Sequence, residues 1–130
     1  MKTKINPHFV WVMKEGDTKK RRVLTCHGTL FTNVMKEGYA VYGHGTNSCA
    51  KFLKEDKEED IAALVNNTWI SGFMSAAGLY SDTQKALSDV ADMYDIQYLI
   101  RQYCEKNPRD DLADAAEDVA EQLINRAGRR

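Results

Sequence analysis

Apolar positions change period once along this chain, and that change divides it. Near the front, Phe9, Trp11 and Met13 alternate with Val10 and Val12. Both faces of such a strand are apolar and would need cover. Lys14-Glu15-Gly16-Asp17 has turn composition and Val23-Leu24 follows, which predicts a β-hairpin. Tyr39-Ala40-Val41-Tyr42 is a further strand-like stretch, and residues 43–48 are turn-forming throughout.

From Ser48 the period becomes three to four. Ser48 can cap a short helix with Phe52 and Leu53 facing inward, although Lys51 stands where a capping box would place Glu. Residues 54–60 are seven consecutive charges, read as an exposed junction or a solvated face. Ile61, Leu64, Val65, Trp69, Gly72, Phe73 and Ala76 then recur at helical spacing and predict a buried face. Gly72, Ser75 and Ala76 are small enough to admit a second helix, and Gly78 is the expected helix end. Residues 81–93 read as a loop or a loose helical turn. Asp95 is the expected cap of the next helix, whose inward set is Ile96, Leu99, Ile100 and Tyr103, with Asn107-Pro108 as its stop. A last helix from about Asp110 carries the stripe Leu112, Ala115, Ala116, Val119 and Leu123. Asp110, Asp111 and Asp114 lie at its positive end, and Gly128 ends it after Arg126.

The predicted fold is mainly α, a small bundle of about four helices with an N-terminal β-hairpin or extended arm. Residues 1–42 form a basic arm with short strands, residues 43–127 a compact helical domain, and residues 128–130 a frayed tail. Phe52, Leu53, Trp69, Gly72, Phe73, Leu99 and Tyr103 are its expected core anchors. Val-Met-Lys-Glu-Gly occurs at 12–16 and at 34–38, but one recurrence does not make a repeat architecture.

Charge sharpens the division. The 130 residues carry net charge -1, yet residues 1–22 hold seven Lys/Arg against two acidic residues. From residue 50 onward ten basic residues face sixteen acidic ones. An acidic body leaves no broad cationic groove for duplex DNA, so no specific nucleic-acid binding is expected. The tetrad Lys19, Lys20, Arg21 and Arg22 could hold nucleic acid only loosely, at low salt. With Phe9, Trp11 and Met13 it forms a candidate interface to a protein partner or to the same chain in a homodimer. The arm is accordingly expected to serve binding or oligomerisation more than the helical fold. No apolar run is long enough to span a membrane, and the first twenty residues lack the apolar core of a secretory signal.

Candidate chemistry is thin. Asp89, Asp92 and Asp95 share one helical face with Glu105 nearby, but nothing apolar surrounds them as an acid/base pair requires. They also lack the central Gly and terminal Glu of a calcium loop. Cys26, His27, His44 and Cys49 would suffice for zinc, yet no close Cys-x-x-Cys knuckle is present. Cys104 could be a nucleophile with His27 or His44 as base, but the flanking periodicity buries it, as a structural half-cystine would be. No phosphate loop or dinucleotide fingerprint occurs. No catalytic residue, metal or cofactor is therefore expected.

Gly43, Gly45, Ser48, Cys49, Phe52, Leu53, Trp69, Gly72, Phe73, Tyr103, Cys104, Asn107, Pro108, Leu112, Ala115 and Ala116 form a joint pattern. It runs from Ser-Cys through Trp-x-x-Gly-Phe to Tyr-Cys-x-x-Asn-Pro and an Ala-rich helix. Over roughly residues 43–124 it resembles a group of small bacterial and phage proteins. More loosely it is similar to acid-stress chaperones and to immunity proteins that inhibit secreted cell-wall amidases. The resemblance implies a small helical protein held by a disulfide and, if a signal has been removed, a periplasmic location; otherwise the chain would be cytoplasmic. The chain departs from these relatives at its front, where the basic arm and Cys26 replace an export signal.

A Cys49–Cys104 disulfide is the pairing expected within that resemblance, joining the segment of Phe52 and Leu53 to that of Leu99, Ile100 and Tyr103. Cys26–Cys49 is the rival pairing, and a reducing compartment would leave three thiols. The resulting expectation is a non-enzymatic binding or inhibitor protein acting on another protein, immunity-like or phage-encoded. The alternative is a periplasmic stress or acid-responsive chaperone-like protein.

Overall fold

A computed structural model describes the backbone of residues 23–24 and 33–36, and all of residues 38–130. Three short strands are followed by four α-helices: β1 (Val23–Leu24), β2 (Asn33–Lys36), β3 (Tyr39–Tyr42), α1 (Cys49–Glu58), α2 (Ile61–Tyr80), α3 (Met93–Lys106) and α4 (Leu112–Ala127). The fold is mainly α, a small helical bundle. Contacts divide the chain into two units, residues 1–46 and 47–130. The turn Gly43–Thr46, expected to begin the helical domain, thus groups with the strands.

In the first unit the strands form an antiparallel sheet in the order β1-β2-β3. Val23 pairs with Val34, and Lys36 pairs with Tyr39 across a tight turn. Gly38 holds φ at +92° there, a conformation that side chains with a Cβ rarely adopt. Val23-Leu24 is therefore a strand, and β2 is its partner. The expected pairing segment Phe9–Met13 and the tetrad Lys19, Lys20, Arg21 and Arg22 lie outside the described residues, as do Cys26 and His27.

The second unit is built on caps. Ser48 accepts from Lys51 N at 3.1 Å and starts α1. The next orphan donors, Cys49 N and Ala50 N, are taken by the carbonyls of Asp110 and Pro108 at 2.7 and 3.2 Å. Leu112 N donates in return to the Asn47 carbonyl at 2.8 Å. The charged run forms the end of α1 and the junction beyond it. Glu59 closes α1 in the left-handed region, and Asp60 Oδ1 caps α2 by accepting from Ala62 N and Ala63 N.

The cap of α3 is Asp92, not Asp95. Asp95 sits three residues inside and returns the bond, its Oδ2 accepting from Asp92 N at 3.0 Å while Asp92 Oδ1 accepts from Asp95 N at 2.9 Å. Asp111 and Asp114 repeat this reciprocal box at α4. Helix α2 continues past Gly78 to Tyr80, because one glycine inside a helix costs only about 1 kcal/mol. Between α2 and α3 only a short 3-10 turn, Leu87–Asp89, interrupts the loop.

Helix α4 runs through the centre of this unit. Leu112, Ala113, Ala115, Ala116, Val119, Ala120, Leu123 and Ala127 are all buried. The many alanines let neighbouring helices pack against more than one side of it. Phe52, Ile70, Ile100 and the Cys49–Cys104 disulfide complete the core, with a Cα–Cα distance of 4.9 Å across the bridge. Leu53, Trp69, Phe73, Leu99 and Tyr103 are partly buried and pack against it, and the Trp69 and Phe73 rings lie 5.4 Å apart. The last residues are tied down rather than frayed: Gln84 N donates to the Gly128 carbonyl at 2.7 Å, and Arg130 N donates to the Asp82 carbonyl at 3.1 Å.

One expected core face is rotated: Trp69 and Phe73 pack against the core, but the rest of it does not. Ile61, Leu64 and Val65 are exposed by 77, 66 and 38%, and Gly72 and Ala76 are exposed too. A Cβ built at Gly72 would meet nothing within 4 Å, so Gly72 is no core anchor and no helix approaches there. The buried face is instead Ala63, Asn66, Ile70 and Met74. Helix α2 contains no charged residue in its 20 positions, so it is apolar or neutral on every side. Periodicity alone cannot then choose the side that turns inward.

Candidate protein-contact surface

Asn66 chooses the side. It is fully buried; its Nδ2 donates to Glu55 Oε1 at 2.9 Å, and its Oδ1 accepts from Asn47 Nδ2 at 3.4 Å. A buried amide without partners costs about 1–3 kcal/mol, so α2 turns Asn66 toward Glu55 on α1 and toward Asn47 just before it. Ile61, Leu64, Thr68, Gly72, Ser75, Ala76 and Leu79 are thereby left on the opposite side, all exposed.

This strip is less polar than its hydroxyls suggest. Thr68 Oγ1 donates to the Leu64 carbonyl and Ser75 Oγ to the Ser71 carbonyl, each at 2.9 Å. Their donors are spent inside the helix and make no demand on a partner. Leu79 is exposed by 72% and Tyr80 by 85%. On the neighbouring helix α3, Tyr94 and Tyr98 are exposed by 82 and 56%.

Its ends differ in charge. Lys57, Glu58, Glu59 and Asp60 precede the first turn, a net negative cluster. At the far end Lys85, Arg129 and Arg130 stand against Asp82 and Glu121; Arg130 Nε lies 3.6 Å from Asp82 Oδ1, and Arg129 is paired with Glu121.

Helices α2 and α3 also border two depressions. One, of about 390 Å³, is apolar and lined by Met74, Gly78, Leu87, Ala91, Met93 and Ile96 among others. The second, of about 310 Å³, is polar and includes Asp56, Glu59, Asp60, Asn67, Gln97 and Arg101. Its acidic groups are largely engaged: Asp56 Oδ2 accepts from Arg101 Nε at 2.8 Å, and Asp60 caps α2.

Several of the residues weighed for chemistry have structural roles. Asp92 and Asp95 form the α3 capping box, and Asp89 belongs to the 3-10 turn. Cys49 and Cys104 are joined, so neither is a thiol nucleophile nor a metal ligand. Tyr103 Oη donates to Asp110 Oδ2 at 2.6 Å, and Asn107 Nδ2 donates to the Tyr103 carbonyl at 2.9 Å. The Tyr-Cys-x-x-Asn-Pro segment thus ends α3 and shapes the loop into α4. Of the candidate interface, Phe9, Trp11 and Met13 lie outside the described residues. The α2 strip was missed because its residues were assigned to the core, and the absence of charge from positions 61–80 was the signal that could have found it. Among the described residues no helix is long and apolar enough to cross a membrane. Comparison with protein-family models, with curated proteins and with solved structures found no match to this chain.

Proposed function

We propose that this chain is a small non-enzymatic protein that binds another protein as an inhibitor, immunity-like or phage-encoded, and that α2 carries the contact. The exposed, uncharged strip supports the reading. A solvated helix face normally carries charged side chains, and here Ile61, Leu64 and Leu79 stand in their place on an otherwise charged molecule. Protein-contact surfaces are depleted in charge at their centres in this way.

Affinity capture from native host lysate with the full chain, beside its Leu64→Glu and Leu79→Glu variants, tests it. One stoichiometric partner held by the unaltered chain and lost by both variants is expected, with helical circular dichroism unchanged in the variants. Equal recovery by all three chains would refute the assignment of the contact to α2. The chaperone-like alternative draws on the same strip, and would show instead as a heterogeneous set of unfolded clients.

A further inference from the structure

The strip is complementary to itself in one orientation, and we propose that its first occupant is the same strip on a second copy, packed antiparallel across a two-fold axis near position 70. This rests on the reading of α2 as a contact surface and names the partner that covers it. Large residues fill the N-terminal half of the strip, Ile61, Leu64 and Val65, while Thr68, Gly72, Ser75 and Ala76 make its middle and later part narrow. Antiparallel pairing about position 70 sets Leu64 against Ala76, Val65 against Ser75, Thr68 against Gly72 and Ile61 against Leu79. In the three inner pairs a larger side chain meets a smaller one, as interdigitating helices require, and Ile61 with Leu79 closes each end with an aliphatic pair. The open space over Gly72 is where the opposing backbone comes closest. Parallel pairing would instead set large against large at one end and small against small in the middle, leaving a gap.

Charge selects the same orientation. The N-terminal end of each strip, Glu58, Glu59 and Asp60 against Lys57, is net negative, and it meets the end of the other copy where Lys85, Arg129 and Arg130 exceed their neighbours Asp82 and Glu121 by one charge. The helix dipoles also oppose one another favourably. A two-fold pairing uses both end contacts twice, so the match is self-consistent. The strip is about 30 Å long. Ile61, Leu64, Val65 and Leu79 expose their aliphatic side chains along it as one strip rather than singly. Tyr80 at its last turn adds to this, toward the roughly 800 Å² per partner of a stable interface.

Two measurements on the full chain test the pairing. Sedimentation across a concentration series should give twice the chain mass of 14.8 kDa, and Leu64→Glu should return it to 14.8 kDa with helical circular dichroism intact. In a Cys26→Ser background, Ile61→Cys and Leu79→Cys chains mixed under mild oxidation should form the mixed adduct. Neither should couple to itself, because like positions lie about 27 Å apart along the axis. Self-coupling of Ile61→Cys would show a parallel pair and overturn the proposal. A chain that stays at 14.8 kDa also overturns it. In that case loss of the captured partner in Leu64→Glu would leave the contact surface standing, whereas unchanged capture would remove both.

Discussion

At the scale of single residues, Asn66 is the one buried polar side chain of α2. Its amide lies between Glu55 and Asn47 with no exposure to solvent, and it fixes which side of an uncharged helix turns inward. Asn66→Ala should lower unfolding stability by about 1–3 kcal/mol, since Glu55 and Asn47 each lose a buried partner. Denaturant unfolding of the two chains measures this, and an unchanged midpoint would contradict the role given to Asn66. Reading α2 by hydrophobicity passes over such a residue, because a buried polar group has no periodic signature. The two reciprocal Asp boxes were half legible for a related reason: the spacing of Asp92 and Asp95 is visible in the chain, but which one caps depends on where the backbone leaves the helix.

At the scale of elements, the Cys49–Cys104 bridge fastens the first turn of α1 to the last turn of α3. It closes a separation of 55 residues, and on the loop-entropy account this constrains the unfolded chain by roughly 4 kcal/mol. Non-reducing peptide mapping with free thiols blocked should recover Cys49–Cys104, and reduction should lower stability by an amount of that order. Recovery of Cys26–Cys49, or a reduced protein as stable as the oxidised one, would contradict it. Helix α4 was legible nearly from cap to end; α3 was legible in its inward set and its Asn107-Pro108 stop but was started three residues late, and α1 was legible at its Ser48 cap but not at its end inside the charged run. Helix α2 was legible as a helix but not in its rotation. The hairpin of β2 and β3 was only half visible: Tyr39–Tyr42 reads as a strand, whereas Asn33–Lys36 carries no strand signal of its own and the positive φ of Gly38 is not visible in the sequence.

At the scale of the whole molecule, the helical unit spends its apolar residues unevenly. The small, alanine-rich α4 is buried along most of its length, while large aliphatics on α2 remain outside. The reverse placement would bring Leu64 and Leu79 inward but would expose Ile70 and Met74 and take Asn66 from its partners. An exposed uncharged strip is what a contact surface needs, and both the proposed protein binding and the antiparallel pairing depend on that rotation. The most direct measurement compares the unfolding midpoints of Leu64→Glu and Ile70→Glu at a protein concentration low enough that both are monomeric. Leu64→Glu should change stability by no more than about 0.5 kcal/mol, as a surface substitution does, while Ile70→Glu, burying an unpaired carboxylate at a fully buried position, should leave the chain largely unfolded. Equal losses in the two variants, or a larger loss in Leu64→Glu, would place Leu64 in the core and contradict it.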